Sequence, residues 1–158
     1  MTSAYEPWNA ARGAEIVAKH DRLEGATLVI LHALQKTFGY VPEPAVPMIA
    51  TALHLSRAEV HGVLTFYHDF RHQPAGRHVL KLCRAEACQA AGGDALAARA
   101  EATLGIFLGN TTADSGVTLE PVYCLGLCAT APSAMLDGRV VGRLDEAGID
   151  ALVAEAQR

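Results

Sequence analysis

Apolar residues recur at helical spacing through the first half of the chain, up to about residue 72. Between Leu23 and Phe38 they lie three and four positions apart, which predicts one helix with a single apolar face. Asp21 stands before this run, where a short polar side chain commonly caps a helix. Gly39 and the proline-rich stretch after it cannot continue the helix, so we expect it to cover residues 21–38.

Two further helices are predicted in the same half. One fits residues 45–53, and the spacing of Ser56 and Glu59 is that of a capping box, which should open another helix toward Phe66. A turn at residues 73–76 then ends the helical half. We therefore expect an N-terminal helical bundle over residues 1–72. A segment of this length buries limited surface by itself, so we interpret it as a docking domain.

After residue 76 the hydrophobic pattern changes from helical spacing to alternation. Residues 78–82 alternate as in a strand that ends at Cys83, and residues 117–123 form a second such strand that ends at Cys124. Between them, the alanine-rich residues 95–104 predict a helix. A strand–helix–strand connection of this kind places the two strands parallel in one sheet.

The last part of the chain predicts a hairpin and a closing helix. Asp137 and Gly138 form a tight-turn signal between two short apolar runs, and Asp145 stands where it would cap the final helix. The order of elements, with its first two strands parallel, suggests a small thioredoxin-like layer of helices and strands over residues 73–158. The fold class is therefore α/β, with a helical bundle in front.

Composition and charge narrow the classes of function. Of the 158 residues, 51% are hydrophobic and 19% charged, which is typical of a folded chain. The formal net charge is −4 and the chain has no basic run, so we expect no nucleic-acid partner. The N-terminus lacks the features of a signal peptide, and no stretch approaches the roughly 20 apolar residues of a membrane helix. We expect a cytoplasmic protein without membrane insertion.

Four cysteines stand in two pairs along the chain. Cys83 and Cys88 form a Cys-x4-Cys pair, and Cys124 and Cys128 form a Cys-x3-Cys pair. Each pair begins at the carboxyl end of a predicted strand, and open α/β sheets place their sites outside those ends. We therefore expect the four sulfurs at one edge of the sheet. Four thiolates suit an iron–sulfur cluster or a tetrahedral zinc ion.

The spacing of the cysteines leaves several alternatives open. Structural zinc more often uses Cys-x2-Cys pairs, although wider spacings occur. Disulfides are rare in a reducing compartment, and a thioredoxin-type dithiol would need a Cys-x-x-Cys motif. The plant-type ferredoxin spacing, with three cysteines close together, is also absent. A [2Fe–2S] cluster, a [4Fe–4S] cluster and a zinc-stabilised interaction module without a redox role remain possible at this point.

Longer segments of the chain resemble a known family. Residues 104–135, which contain Cys124-Leu-Gly-Leu-Cys128, and the segment Val63-Leu-Thr-Phe-Tyr67 are similar to the thioredoxin-like [2Fe–2S] subunit of NADH dehydrogenase, the 24-kilodalton family of complex I. The resemblance implies one [2Fe–2S] cluster and a position beside a larger subunit that binds flavin (FMN) and NAD. The cluster ligands that it implies are Cys83, Cys88, Cys124 and Cys128.

Two shorter motifs suggest a finer assignment. Cys83-Arg-Ala-Glu-Ala-Cys88 and Asp137-Gly-Arg-Val-Val-Gly-Arg143 resemble the gamma subunit of soluble, molybdenum-containing, NAD-dependent formate dehydrogenase. This finer resemblance implies a second partner, a larger molybdenum and iron–sulfur subunit. The alternative is the equivalent subunit of complex I or of an NAD-reducing hydrogenase. The sequence contains no glycine-rich phosphate loop, so we expect a non-catalytic electron-transfer subunit that does not bind the nicotinamide itself.

The remaining candidate residues have ordinary interpretations beside the functional ones. We expect surface or packing roles for all seven histidines. The aromatic residues Phe66, Tyr67 and Phe70 either pack onto their own domain or form a docking patch. Arg84 is the basic residue nearest in sequence to a cysteine, and the direction of its side chain is open. The isomer of the Ala131–Pro132 peptide bond is open as well.

Overall fold

The computed structural model describes residues 5–158, which form two compact units. The first unit extends to Pro74 and the second begins at Ala75. Each unit has its own cluster of buried apolar side chains. No helix among residues 5–158 is long and apolar enough to cross a membrane.

The helical unit confirms two of the expected helices closely. Helix α3 has the expected bounds, and α4 begins directly after Ser56. The capping box is formed, because Ser56 Oγ accepts the Glu59 N–H at 3.1 Å and Glu59 Oε2 accepts the Ser56 N–H at 2.8 Å. The helices of this unit are α1 (Ala10–His20), α2 (Ala26–Phe38), α3 (Ala45–Leu53) and α4 (Arg57–Phe66).

The helix expected over residues 21–38 is wrong at its start. Asp21 does not cap it but follows the last residue of α1, and α2 begins five residues later at Ala26. Gly25 precedes α2 with a left-handed φ of 66°, a conformation that glycine adopts without steric cost and that interrupts helical structure. The N-cap of α1 is Asn9, whose Oδ1 accepts the Ala11 N–H at 2.9 Å.

The second unit is a mixed four-stranded sheet with helices packed against it, which confirms the α/β, thioredoxin-like layer. The strand order is β2-β1-β3-β4, with β1 parallel to β2 as expected and β3 antiparallel to both β1 and β4. In chain order the elements are β1 (His78–Cys83), α5 (Glu86–Ala90), α6 (Gly93–Leu104), β2 (Val117–Val122), β3 (Ala134–Leu136), β4 (Arg139–Val141) and α7 (Glu146–Ala156).

The turn and the cap expected near the end of the chain are confirmed. Asp137 and Gly138 connect β3 to β4 with φ values of 49° and 88°, as a two-residue hairpin with both central residues at positive φ requires. The carboxylate of Asp137 also accepts the backbone N–H of Val79 at 2.8 Å, which ties the turn to β1. Asp145 caps α7, since its Oδ1 accepts the Gly148 N–H at 2.8 Å.

Strand β2 lies at one edge of the sheet, and part of that edge is covered. The N–H of Gly109 donates to the Leu119 carbonyl at 2.7 Å, and the N–H of Leu119 donates to the Asn110 carbonyl at 3.0 Å. Along an edge strand, the backbone groups of alternate residues point toward the sheet and away from it. After Leu119, the next residue of β2 whose backbone points away from the sheet is Pro121, which is exposed and has no N–H. The β2 edge therefore has few free backbone donors.

Candidate metal centre

The two cysteine loops leave the sheet side by side. Strand β1 ends at Cys83, which pairs with Val122, the last residue of β2. The N–H of the following Arg84 donates to the Val122 carbonyl at 2.8 Å, and Cys124 comes two residues after Val122. The parallel pairing of β1 and β2 therefore delivers both cysteine loops to one end of the sheet, where open α/β sheets place their sites.

Cys83 and Cys88, the buried pair, lie under the protein surface. Their exposed fractions are 4% and 1%. Cys83 is fixed by the sheet, since its N–H donates to the Ser133 carbonyl at 3.0 Å. Cys88 lies in the short helix α5, and its Sγ is 3.5 Å from the hydroxyl Oγ of Ser133. Strand β1 therefore fixes one cysteine of the pair, and helix α5 fixes the other.

Cys124 and Cys128, the exposed pair, lie at the surface. Their Sγ atoms are 3.6 Å apart, and both residues are exposed. The N–H of Gly126 donates to Cys124 Sγ at 3.3 Å. Gly126 has φ 77°, and this left-handed conformation turns its N–H back toward the sulfur. The neighbouring Tyr123 is 76% exposed, so the surface beside this pair is open.

The pKa values of two of the thiols are shifted by their neighbours, including members of the other pair. Burial raises the pKa of Cys83, but hydrogen bonds from the N–H groups of Ala85 and Cys124 and from the side chains of Cys88 and Ser133 outweigh it, so the pKa is lowered overall. The pKa of Cys128 is raised, chiefly by the hydrogen bond and the charge of Cys124 beside it, with smaller contributions from the buried pair. Thiolates that crowd each other in this way are stabilised by a bound cation.

The donor set fits an iron–sulfur cluster. All four cysteines are free thiols. The sulfurs form two pairs, one buried and one exposed, and a [2Fe–2S] cluster is held by four cysteine thiolates. The backbone N–H groups aimed at Cys83 and Cys124 are of the kind that tune such clusters.

The other residues that the sequence analysis considered have defined positions. Arg84 turns to the start of α6, where its Nη2 lies 3.0 Å from Asp94 Oδ1. Of the three aromatic residues, Phe70 is buried and packs 4.9 Å from the His32 ring, whereas Phe66 and Tyr67 are exposed at 73% and 44%. The Ala131–Pro132 bond is cis. Among the histidines, His78 at the start of β1 has its Nδ1 2.7 Å from Oδ2 of Asp137, which lies in the β3–β4 turn.

One polar residue of this site, Ser133, was not predicted from the sequence. It is 4% exposed, its carbonyl accepts the Cys83 N–H, and its hydroxyl contacts Cys88 Sγ. Ser133 stands between Pro132 and the apolar strand β3, a position that the expected fold places in the interior. A polar side chain there needs a hydrogen-bond partner, and this could have indicated its contact with the cysteines.

Comparison with known proteins defines the class of this chain. Residues 13–157 match the thioredoxin-like [2Fe-2S] ferredoxin family. One subunit of the NADH-quinone oxidoreductase of Pseudomonas aeruginosa is 38% identical over 128 residues, which are 81% of this chain and 77% of that protein. The HndA subunit of the NADP-reducing hydrogenase of Solidesulfovibrio fructosivorans is 30% identical over 132 residues, 84% of this chain and 77% of that protein.

A solved structure has the same fold. The air-oxidized NAD+-reducing [NiFe]-hydrogenase aligns with a TM-score of 0.69 and 31% sequence identity over 83% of this chain. The aligned part is only 22% of the hydrogenase chain, so this chain corresponds to a fraction of that larger protein.

The chain belongs to the thioredoxin-like [2Fe-2S] ferredoxin family, and its cofactor is one [2Fe–2S] cluster. Of the alternatives that the cysteine spacing left open, neither zinc nor a [4Fe–4S] cluster is the cofactor of this family.

Proposed function

We propose that the buried and the exposed cysteine pairs together ligate the cluster and that the chain is a one-electron carrier beside a subunit that binds flavin and NAD. The observation that carries this proposal is the parallel pairing of β1 and β2, which brings both cysteine loops to one end of the sheet, where the backbone N–H of Cys124 donates to the sulfur of Cys83. When bound, a [2Fe–2S] cluster takes up and releases single electrons. The N–H groups of Ala85, Cys124 and Gly126 stabilise negative charge on the sulfurs by hydrogen bonding.

The unequal burial of the two pairs supports a role in electron transfer between proteins. The buried pair is shielded from water, which protects its sulfurs from solvent and oxidants. The exposed pair, with the exposed ring of Tyr123 beside it, leaves a short path from the site to a protein that docks there. This arrangement suits a relay that receives an electron from a neighbouring cofactor rather than from a diffusing substrate.

The flavin- and NAD-binding partner is inferred from the relatives. Their names describe an NADH-quinone oxidoreductase and hydrogenases that reduce NADP or NAD. These names support the alternative in which this chain is the equivalent subunit of a complex I-type or NAD-reducing hydrogenase-type assembly. The formate dehydrogenase gamma subunit, with its larger molybdenum and iron–sulfur partner, stays a finer prediction that rests on the two short motifs at residues 83–88 and 137–143.

The helical unit is the part of the chain that we assign to docking. Phe66 and Tyr67 lie at the end of α4 with their rings 5.1 Å apart, and both are exposed. An exposed aromatic pair of this kind is enriched where proteins associate. We also infer a cytoplasmic location, because none of the four cysteines forms a disulfide and unbridged thiols are usual in a reducing compartment.

Identification of co-purifying subunits tests the parent complex. A tagged copy of the chain, expressed in its native host, should retain a flavoprotein, and the retained complex should reduce the cluster when NADH is added. Recovery of a molybdenum subunit would support the formate dehydrogenase prediction, and recovery of hydrogenase or quinone-reductase subunits would support the alternatives. Retention of no flavoprotein, or NADH oxidation by the purified chain alone, would contradict the relay.

Single replacements test the ligands. Each of Cys83→Ser, Cys88→Ser, Cys124→Ser and Cys128→Ser should abolish or strongly change the visible spectrum of the purified chain, because serine is a poor replacement for a thiolate ligand of iron. Thr130→Val, which changes a residue of the same loop that contacts no sulfur, is the control. Wild-type absorbance after any one cysteine change would remove that residue from the ligand set.

A further inference from the structure

Ser133 places a buried hydroxyl against the buried pair. Its side chain is 4% exposed, and its Oγ lies 3.5 Å from Cys88 Sγ. Its position is fixed by the sheet, since the Ser133 carbonyl accepts the Cys83 N–H at 3.0 Å and β3 begins at the next residue. The hydroxyl of Ser133 therefore contacts one member of the buried pair, and its backbone carbonyl is bound to the other.

Iron binding decides the direction of this hydrogen bond. In the metal-free chain either the Ser133 hydroxyl or the Cys88 thiol could be the donor. A thiolate bound to iron has no proton, so only the hydroxyl can then donate. Hydrogen bonds to the sulfurs are one of the factors that set the potential of an iron–sulfur cluster.

We propose that Ser133 is a positioning residue that donates a hydrogen bond to the buried pair and thereby raises the reduction potential of the cluster. The proposal rests on the ligand assignment made above. Reduction adds negative charge to the site, and a donor that points at a sulfur stabilises the more negative state. Because Ser133 and the buried pair are shielded from water, the bond is stronger than it would be at the surface.

Ser133 is the side chain through which this effect can be tested cleanly. Among residues 5–158, the other donors to the sulfurs are the Cys88 thiol, which is itself a proposed ligand, and backbone N–H groups, which substitution does not remove. The nearby Thr130 hydroxyl donates to the Leu127 carbonyl at 3.2 Å, and the guanidinium of Arg84 is bound to Asp94. Replacement of Ser133 by alanine removes one oxygen atom and keeps the backbone bond to Cys83.

The experiment is a redox titration of the full-length chain with its cluster, followed by visible absorbance and by the electron paramagnetic resonance signal of the reduced state. We expect Ser133→Ala to lower the ratio of reduced to oxidised cluster at a fixed potential by about three- to tenfold, a shift of about 30 to 60 mV for a one-electron couple. Ser133→Thr, which keeps the hydroxyl, should stay near the wild-type potential. Thr130→Val, which removes a hydroxyl that contacts no sulfur, should do the same.

Each outcome of this titration has a defined meaning. An unchanged potential in Ser133→Ala with a full cluster overturns the proposal, and so does an equal shift in Thr130→Val. Ser133→Gly serves as a second hydroxyl-free variant. If neither hydroxyl-free variant holds iron while Ser133→Thr does, the hydroxyl is needed for assembly and not for the potential, which also overturns the proposal. Failure of the relay itself would appear differently, as a wild-type cluster that the flavoprotein does not reduce.

Discussion

Gly93 holds the first turn of α6 against the backbone of the buried pair. A Cβ at this position would lie 2.6 Å from the Cys88 carbonyl oxygen and 3.0 Å from its carbonyl carbon. These atoms belong to the main chain of α5 and cannot rotate away. We expect Gly93→Ala to destabilise the second unit by about 1–3 kcal/mol and to displace Cys88, so that the iron content per purified chain falls.

The matched control is Gly105→Ala, at the other end of the same helix. Gly105 has φ 67°, and no heavy atom lies within 4 Å of a Cβ built there. This variant should cost about 1 kcal/mol through backbone strain alone and keep its iron. Iron analysis and chemical denaturation measure both effects, and equal iron loss in the two variants would contradict the role given to Gly93.

At this scale, local patterns predicted some residues of the site and not others. The exit of both cysteine loops at one end of the sheet could be predicted because strand alternation and the crossover rule are readable from short stretches of sequence. Ser133 could not, since its contact with Cys88 joins residues 45 positions apart and depends on the pairing of β3 with β1. The partner of Arg84 also depends on packing, because Asp94 approaches it only when α6 is in place.

Among the elements, the helices of the first unit contain two glycines that should respond oppositely to alanine. Gly62 lies in α4 with open space around a Cβ, so Gly62→Ala should stabilise this unit by about 0.5–1 kcal/mol through helix propensity. Gly13 lies in α1, where a Cβ would approach the Trp8 ring to 2.5 Å. Gly13→Ala should therefore destabilise the unit by about 1–3 kcal/mol.

Urea titration followed by circular dichroism compares these two variants. Trp8 is the single tryptophan of the chain and packs edge-on against Phe38 at 5.0 Å, so its fluorescence reports on the same unit. Stabilisation by Gly13→Ala would show that contact with Trp8 does not limit α1, and destabilisation by Gly62→Ala would contradict the gain expected from helix propensity.

The packing of α6 against α7 includes an ion pair that responds to pH. Arg99 binds Asp150 through two bonds of 2.7 Å and reaches Glu146 at 3.1 Å. The hydrogen bond from Arg99 lowers the pKa of Asp150 below its ordinary value, which is about 3.9. The stabilisation by this pair is therefore complete above that ordinary value and is lost as the pH falls through the lowered pKa of the folded state.

Asp150→Asn should consequently be less stable than wild type at pH 7, and the difference should shrink as the pH falls below about 4. The unfolding midpoint measured between pH 7 and pH 3 checks this. Because Arg99 and Asp150 are partly exposed, 1 M salt should also narrow the difference at pH 7. A difference that stays constant with pH would mean that the substitution disturbs packing and not charge.

The elements that the sequence predicted well are those with local start and stop signals. Helix α4 has its capping box, and the hairpin has its Asp137-Gly138 turn. The start of α2 was placed wrongly, because a polar Asp21 before an apolar run is an equally good cap signal in sequence. Only the left-handed backbone of Gly25 decides where α2 begins.

For the whole molecule, the two compact units allow a test of the division of labour. Deletion of residues 1–72 should weaken assembly with the flavoprotein, whereas residues 73–158, which contain all four cysteines and their own apolar core, should still bind iron and sulfide. Pull-down with the flavoprotein, measured beside the visible spectrum, gives both quantities. Normal assembly of the truncated chain, or its failure to hold a cluster, would contradict this division.

A pair of surface variants refines that test in the full-length chain. Phe66→Ser removes an aromatic ring that is 73% exposed in the helical unit, and Phe107→Ser removes one that is 74% exposed in the second unit. If the helical unit is the docking unit, the first variant should weaken the pull-down and the second should leave it unchanged. The opposite result would move the contact to the second unit.

The edges of the sheet have a consequence for the chain before it meets its partners. Exposed strand edges are the usual templates on which identical chains stack into aggregates. The β2 edge is occupied by residues 109–112 and then meets Pro121, and β4 at the other edge is only three residues long. A copy of the chain that is not yet assembled therefore presents little exposed strand backbone on which further copies could stack.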